Sequence, residues 1–272
     1  MQVTAELAPA AARLERELSE LGKVVVGFSG GADSALLAYA ARQVLGRDGA
    51  LCVTAVSSSL APEELADCEA LASEWDLDWR PTATHELSSE AYARNSGDRC
   101  YYCKAELMGA LAPIVAATGA VAVLGVNVDD LSDYRPGQRA AAERGARFPL
   151  LQAGLTKADV RTISRQLGLR TADKPAAACL ASRIPLGTRV TIGVLKQVAA
   201  AESGLRALGF EAMRVRHYGE LARVELLIED LQRALDQRER VVAAVQAGGY
   251  RYVTIDFEGL RSGNLNRDEH TA

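Results

Sequence analysis

Histidine is scarce in this chain: three residues in 272, at His85, His217 and His270, beside five cysteines. A structural zinc centre takes four protein ligands, and few candidates stand near one another in sequence. No apolar run reaches the roughly 20 residues that cross a bilayer. No secretory leader is evident. The opening stretch instead reads as an amphipathic helix with Leu7, Ala11, Leu14 and Leu18 on one face, so a cytoplasmic location is expected. Positive charge is not in excess: the formal net charge is -4. That argues against a sequence-independent nucleic-acid binder, which needs a basic surface, and no nucleic-acid partner is expected. Repeats and low-complexity tracts are absent. What remains is an ordinary globular composition, 49% hydrophobic and 24% charged. In a cytosolic chain Cys52, Cys68, Cys100, Cys103 and Cys179 read as thiols, metal ligands or catalysts rather than disulfides.

Apolar strands alternate with helical patterns through the first two thirds of the chain. Strands are expected at 23–28, 50–56, 78–83 and 120–126. Helices are expected at 34–45, 62–75, 101–118 and 156–167, with Pro62 in a first turn and Thr156 as a cap. Such alternation predicts an α/β fold, a parallel sheet with helices on both faces. Around residue 185 the pattern changes to helix 191–208, strands 212–217 and 221–228 joined through Gly219-Glu220, helix 231–247 and strand 250–257. The expected organisation is a domain over 1–185, a small α+β domain over 186–263 serving substrate binding or oligomerisation, and a disordered tail over 264–272.

The strand at 23–28 runs into Ser29-Gly30-Gly31-Ala32-Asp33-Ser34 and then a helix. Two glycines let backbone N–H groups turn toward an anion, and the helix adds its positive end. Ser29 and Ser34 can donate hydroxyl hydrogen bonds. A Walker loop is longer and carries a lysine; neither feature is present. The six-residue string resembles the signature of the PP-loop ATP pyrophosphatases, whose fold is adenine nucleotide alpha hydrolase-like. The resemblance implies cleavage of ATP between its α and β phosphates, transfer of AMP to a substrate oxygen, and Mg²⁺ to neutralise phosphate charge.

Cys100 and Cys103 form a Cys-x-x-Cys, which alone fits a zinc half-site, a redox pair or unrelated thiols. Cys179 lies in a segment rich in small residues, where Lys174 and Arg183 are placed to lower a neighbouring thiol's pKa. Cys52 in a strand and Cys68 in a helix read as buried small apolar residues.

Taken in order, GFSGGADS, DRCYYCK, GVNVDDLSDYRPGQRAAAE, GLTKADVR, DKPAAACLASRIPLGTRVT, RVRHYGELARVEL and YRYVTIDFEGLRSGNLN resemble the LarE-type ATP-dependent sulfur transferases over nearly the whole chain. The resemblance implies adenylation of a carboxylate of pyridinium biscarboxylic acid mononucleotide and replacement of oxygen by sulfur, a step in making a nickel-pincer cofactor. It also implies a homo-oligomer. The family delivers sulfur in two ways. One cysteine, at the position of Cys179, can give up its own sulfur and become dehydroalanine. Alternatively three cysteines, matched by Cys100, Cys103 and Cys179, hold a 4Fe-4S cluster whose open iron carries sulfide from a donor. The cluster form is the expectation.

Asn127, Asp129, Asp130 and Asp133 follow an apolar strand, where ligands of open α/β sheets bind, and are expected to serve ATP, Mg²⁺ or substrate. Arg135 belongs to the same string. Arg214 and Arg216 alternate on one strand and can clamp the substrate's phosphate, joined by Ser182 and Arg183. Glu202 and Glu225 resemble acidic positions that bind a divalent metal in the family. A tRNA-thiolating PP-loop enzyme is the main rival reading, disfavoured by the acidic balance. An amide-forming ligase or a plain ATP-binding module would leave the cysteines unexplained.

Overall fold

The structure, a computed structural model, describes residues 4–131, 136–175 and 178–261. Asp133, Arg135 and the tail 264–272 lie outside the described residues. Two compact units are present: Met1–Glu86 with Asp98–Ala177, and Leu87–Gly97 with Ala178–Ala272.

In the first unit, α1 (Ala8–Leu21), β1 (Val24–Gly27), α2 (Ala32–Gly49), β2 (Ala50–Val56), α3 (Pro62–Glu74) and β3 (Asp78–Ala83) follow one another. The short α4 (Glu90–Ala93) belongs to the second unit, after which α5 (Arg99–Thr118), β4 (Val121–Leu124), α6 (Pro136–Ala142), α7 (Pro149–Gln152) and α8 (Lys157–Gln166) complete the first. The sheet is wholly parallel, in the order β3-β2-β1-β4. Both faces are apolar, as a helix-covered parallel sheet requires. Val24 and Val26 of β1 share a core with Leu14 and Leu18 of α1, Leu36 and Leu37 of α2, Leu71 of α3 and Ile163 of α8. Val25 points the other way and packs with Met108 and Leu111 of α5 and Ala141 of α6. This is the expected α/β architecture.

Element bounds shift for local reasons. The regular part of α2 ends at Leu45, because Gly46 leaves helical geometry with φ +73°. Thr156 caps α8 as expected, in a reciprocal box: its side chain accepts from the Asp159 backbone and the Asp159 carboxylate accepts from the Thr156 backbone.

The second unit contains α9 (Ile192–Ala207), the antiparallel pair β5 (Met213–Tyr218) and β6 (Leu221–Leu226), α10 (Leu231–Asp236), α11 (Arg238–Ala247) and β7 (Tyr252–Ile255), which joins β6 in parallel. β5 and β6 form the expected hairpin through Gly219-Glu220. The single helix expected over 231–247 is instead two, broken at Gln237, where φ -103° and ψ 21° leave the helical region. Residues 87–97 join this unit through Asn95, whose amide donates to the carbonyls of Pro185 (2.8 Å) and Thr188 (2.9 Å), and through an ion pair between Glu90 and Arg189 (2.5 Å). No described helix is long and apolar enough to cross a membrane.

Candidate active site

The strand order of the first unit reverses at β1: β2 and β3 lie on one side, β4 on the other. Ligands of open α/β sheets bind at such a switch point, beyond the carboxyl ends of the strands. The segments that leave β1 and β4 there are 28–31 and 125–130. Gly30 has φ +68°, and a Cβ on it would lie 3.0 Å from the Cys68 sulfur, so both backbone and space demand glycine. Gly31 is different. Its φ is -80° and a Cβ would meet only Ser29 Oγ at 3.6 Å, an ordinary contact. The fold leaves room for a side chain at Gly31, on the turn that would receive an anion.

Gly31 is also the N-cap of α2, and no side chain caps that end. The first-turn N–H groups thus remain open to a ligand. Asp33 sits inside the first turn and is not the cap. The two serines brace the turn: Ser34 Oγ donates to Gly31 O (3.1 Å), accepts from Ser29 N (3.2 Å) and lies 3.0 Å from Ser29 Oγ.

Asp33 links the two segments. Its carboxylate accepts from Asn127 Nδ2 (3.0 Å) and pairs with Lys157 Nζ (2.6 Å). Asn127 is held in turn: its N–H donates to Asp130 and its Oδ1 accepts from Asp129 N, both at 3.0 Å. Asp129 Oδ2 accepts from the Lys157 backbone N–H (2.8 Å). Gly125 brings the β4 exit so close to α2 that a Cβ there would lie 2.7 Å from Ser34 N. The expected nucleotide residues Ser29, Gly30, Gly31, Asp33, Ser34, Asn127 and Asp129 therefore form one connected cluster.

Two residues of this cluster were not expected from sequence. Lys157 stands in the GLTKADVR string at a helix start, its only signal. Gly125 is signalled by a glycine ending an apolar strand. Lys174 approaches the loop too: its Nζ lies 3.7 Å from where a Gly30 Cβ would be, and it pairs with Glu64 and Asp67 at 2.7 Å each. Burial works against the charges of both Asp67 and Lys174. Their mutual hydrogen bond, with help from Arg170 and Glu64, outweighs it, lowering the Asp67 pKa and raising that of Lys174.

Cys100 and Cys103 are the second and fifth residues of α5, one exposed and one half-buried, and their spacing puts both on one side of the helix. Cys179 is exposed in the second unit and precedes a 3₁₀ turn, Leu180–Arg183. Cys52 and Cys68 are buried, as expected. Burial, then the charge of Asp78, pushes the Cys52 thiol up to about 12, and burial raises Cys68. Both are kept as neutral thiols.

In the second unit Cys179, Ser182 and Arg183 belong to one turn: the Cys179 carbonyl accepts from Ser182 N (2.9 Å) and Arg183 Nη1 (3.2 Å). Arg183 is buried and pairs with Glu202, Nε to Oε1 at 2.8 Å and Nη2 to Oε2 at 3.2 Å. Glu202 Oε1 also accepts from Val215 N (3.0 Å). Arg216 pairs with Glu225 (2.8 Å), which Arg223 approaches from its other oxygen (3.3 Å), and donates to the Ser182 carbonyl (2.8 Å). Both carboxylates thus neutralise guanidinium groups, and a divalent ion on either would have to displace an arginine. Arg216 Nε is buried without a hydrogen-bond partner among the described residues. Arg214 donates to the Arg261 carbonyl (3.0 Å). Burial, then the charges of Arg216 and Arg183, lowers its pKa. Arg183, Arg214 and Arg216 thus crowd together, an arrangement suited to a polyvalent anion. Among the described residues no group of three or more His, Cys, Asp and Glu side chains is placed to hold a metal ion.

Comparison with known proteins agrees with this geometry. A family model described as NAD synthase matches residues 10–95, which include the Ser29–Ser34 loop. A Synechocystis protein of uncharacterised function is 44% identical over 257 residues, 93% of this chain and 96% of its own. The pyridinium-3,5-bisthiocarboxylic acid mononucleotide synthase of Lactiplantibacillus plantarum is 40% identical over 263 residues, 96% of this chain and 95% of its own. An uncharacterised protein of Methanocaldococcus jannaschii is 27% identical over 241 residues.

Proposed function

The chain belongs to the family of the Lactiplantibacillus synthase, the LarE-type sulfur transferases of the PP-loop superfamily, and from that premise we propose that it is an ATP-dependent sulfur transferase acting on pyridinium biscarboxylic acid mononucleotide. The observation that carries the reading is the phosphate loop: an uncapped helix start behind a glycine whose missing side chain the fold does not itself require. Its N–H groups hold the β and γ phosphates. A substrate carboxylate oxygen attacks the α phosphorus, the bond to the bridging oxygen breaks, and pyrophosphate leaves with the electron pair. Asp129 offers one of the carboxylates that Mg²⁺ uses alongside phosphate oxygens, whereas Asp33 is already paired with Lys157. Ser182, Arg183, Arg214 and Arg216 take the substrate phosphate, with the unpartnered Arg216 Nε as a ready donor.

Sulfur then displaces AMP from the acyl-adenylate and leaves a thiocarboxylate. Cys100 and Cys103, two thiols on one helical turn, and Cys179 fit the donor set of a 4Fe-4S cluster. Such a cluster, when bound, supplies an iron able to carry sulfide from an external donor. A second reading is favoured by the backbone tie between Cys179 and the Ser182–Arg183 turn: Cys179 itself attacks the acyl-adenylate and gives up its sulfur. We place the enzyme in the cytoplasm as a homo-oligomer.

The test is to incubate the anaerobic protein with ATP, Mg²⁺, sulfide and the mononucleotide labelled with ¹⁸O in its carboxylates. Transfer of ¹⁸O to AMP with formation of a thiocarboxylate is expected; AMP without label would end the adenylation reading. Mass spectrometry of the chain after turnover separates the two sulfur routes. Intact Cys179 with iron-dependent repeated turnover supports the cluster, and dehydroalanine at Cys179 in iron-free protein supports sacrifice.

A further inference from the structure

The arginines of the second unit answer the charge at one end of a mononucleotide and leave its ring without a seat. We infer that Tyr218 is the ring-binding residue, with the pyridinium ring of the substrate stacked on its phenol. The inference deepens the reading above and rests on its substrate assignment. Side chains alternate across β5. Val215 and His217 point into the core, 0% and 6% exposed, so Arg214, Arg216 and Tyr218 share the opposite face. Along that face exposure rises from 3% at Arg216 to 41% at Tyr218. A ligand held by its phosphate at Arg216 would have its anionic end buried and its other end at an open aromatic side chain. From Arg216 to Tyr218 is two strand residues, about 7 Å. That is the scale of the pentose between the phosphate and the ring of a mononucleotide.

The neighbours of Tyr218 steady the phenol. Arg223 stands directly across the ladder from Arg216 and so lies on the same face. Its guanidinium carbon sits over the Tyr218 ring, 5.3 Å from the centroid. Glu225 (3.3 Å) and Asp256 (3.5 Å) meet the charge of Arg223, which offsets its repulsion of a second cation on the phenol. A pyridinium ring carries its positive charge within the ring, and the face of a phenol is negative, so the two attract. Stacking of one flat ring on another adds to that attraction. Tyr252 supplies a comparison within the same sheet. It is 51% exposed and faces the same side, because Leu221 stands opposite Tyr218 on one neighbour and opposite Tyr252 on the other. Two strand spacings, roughly 10 Å, separate it from β5 and its arginines.

The experiment is calorimetric titration of the full chain with pyridinium biscarboxylic acid mononucleotide and with ribose 5-phosphate. The unchanged protein should bind the mononucleotide more tightly than ribose 5-phosphate. Tyr218→Ala should weaken the mononucleotide about tenfold and leave ribose 5-phosphate within about twofold. Tyr218→Phe keeps an aromatic face and should retain most of the affinity. Tyr252→Ala should match the unchanged protein with both ligands. The bound ring should also give a charge-transfer absorption band with the phenol, absent in Tyr218→Ala, a signal that a merely structural tyrosine would not produce. Should Tyr218→Ala fold poorly, Tyr218→Leu is read by the same two ligands. Equal weakening of the two ligands, or unchanged mononucleotide affinity in Tyr218→Ala, would overturn the inference and leave the substrate reading standing. An unchanged protein that binds the mononucleotide no better than ribose 5-phosphate would overturn the substrate reading, and the inference with it.

Discussion

In the proposed reading the first unit meets its anion with backbone, the second with side chains. Around Ser29–Ser34 the groups left open are N–H groups of an uncapped helix start, with one partly exposed ion pair, Lys157–Asp33, beside them. In the second unit Arg183 is held by Glu202 and Arg216 by Glu225, with the Arg216–Glu225 pair only 3% and 0% exposed. A backbone site is pre-organised by the fold and costs little when empty. A cluster of buried guanidinium groups is stable only while its carboxylates are in place. Charge removal should therefore act on turnover in the first unit and on folding in the second.

The largest effect is expected from Glu225→Gln, which leaves Arg216 and Arg223 without their shared counter-charge. Breaking a buried pair by removing one partner costs roughly 3–5 kcal/mol, read as a lower urea midpoint. Asp33→Asn touches a partly exposed pair and should cost no more than about 1 kcal/mol, while pyrophosphate formation falls sharply. Equal stability losses in the two variants would erase the contrast.

Within the loop, the two glycines sharpen the comparison. Gly31→Val should leave the urea midpoint nearly unchanged, because the fold offers space there, yet lower pyrophosphate release by about 10² or more through misplaced phosphate. Gly30→Ala should do the reverse in emphasis. It forces a left-handed φ on a side chain and drives a Cβ toward Cys68, with a stability loss of about 1–2 kcal/mol. A Gly31→Val protein with normal pyrophosphate release would mean that nothing approaches the loop closely.

What could be read beforehand follows the same division. The strands, their crossovers and the Ser29–Ser34 string are local in sequence, each set by a contiguous run, and the capping box from Thr156 to Asp159 spans four residues. Legibility fails wherever a partner is distant. Nothing near Asp33 announces Lys157, and nothing near Arg183 names Glu202 nineteen residues on. Asn95 gives no hint that its amide will gather residues 87–97 into the second unit, since the carbonyls it binds come some 90 residues later. The break at Gln237 has no proline or glycine to mark it. The arginines were legible as a strand-face pair, but their burial against glutamates was not, because the sheet register, Arg214 opposite Glu225, decides it.

The smallest expected effect is a pH dependence that belongs to the second unit alone. His217 is 6% exposed on β5, and its Nδ1 lies 3.2 Å from the Tyr250 hydroxyl. Burial lowers its pKa below the usual 6.5 and raises that of Tyr250. Between the lowered value and 6.5 the unfolded chain binds a proton that the folded chain does not. Stability must therefore rise with pH across that window and fall as pH drops below 6.5. The contribution is fully present above 6.5, where the ring is neutral in both states. Urea midpoints taken from pH 7.5 downward should decline more steeply for the unchanged protein than for His217→Gln, which keeps a hydrogen-bonding group and cannot titrate. The paired carboxylates do not confuse the reading, because Asp67, held below 3.8 by Lys174 and Arg170 against its burial, loses its contribution only in more acidic solution. Identical slopes for the two proteins would mean that His217 takes up its proton in the folded state as freely as in water.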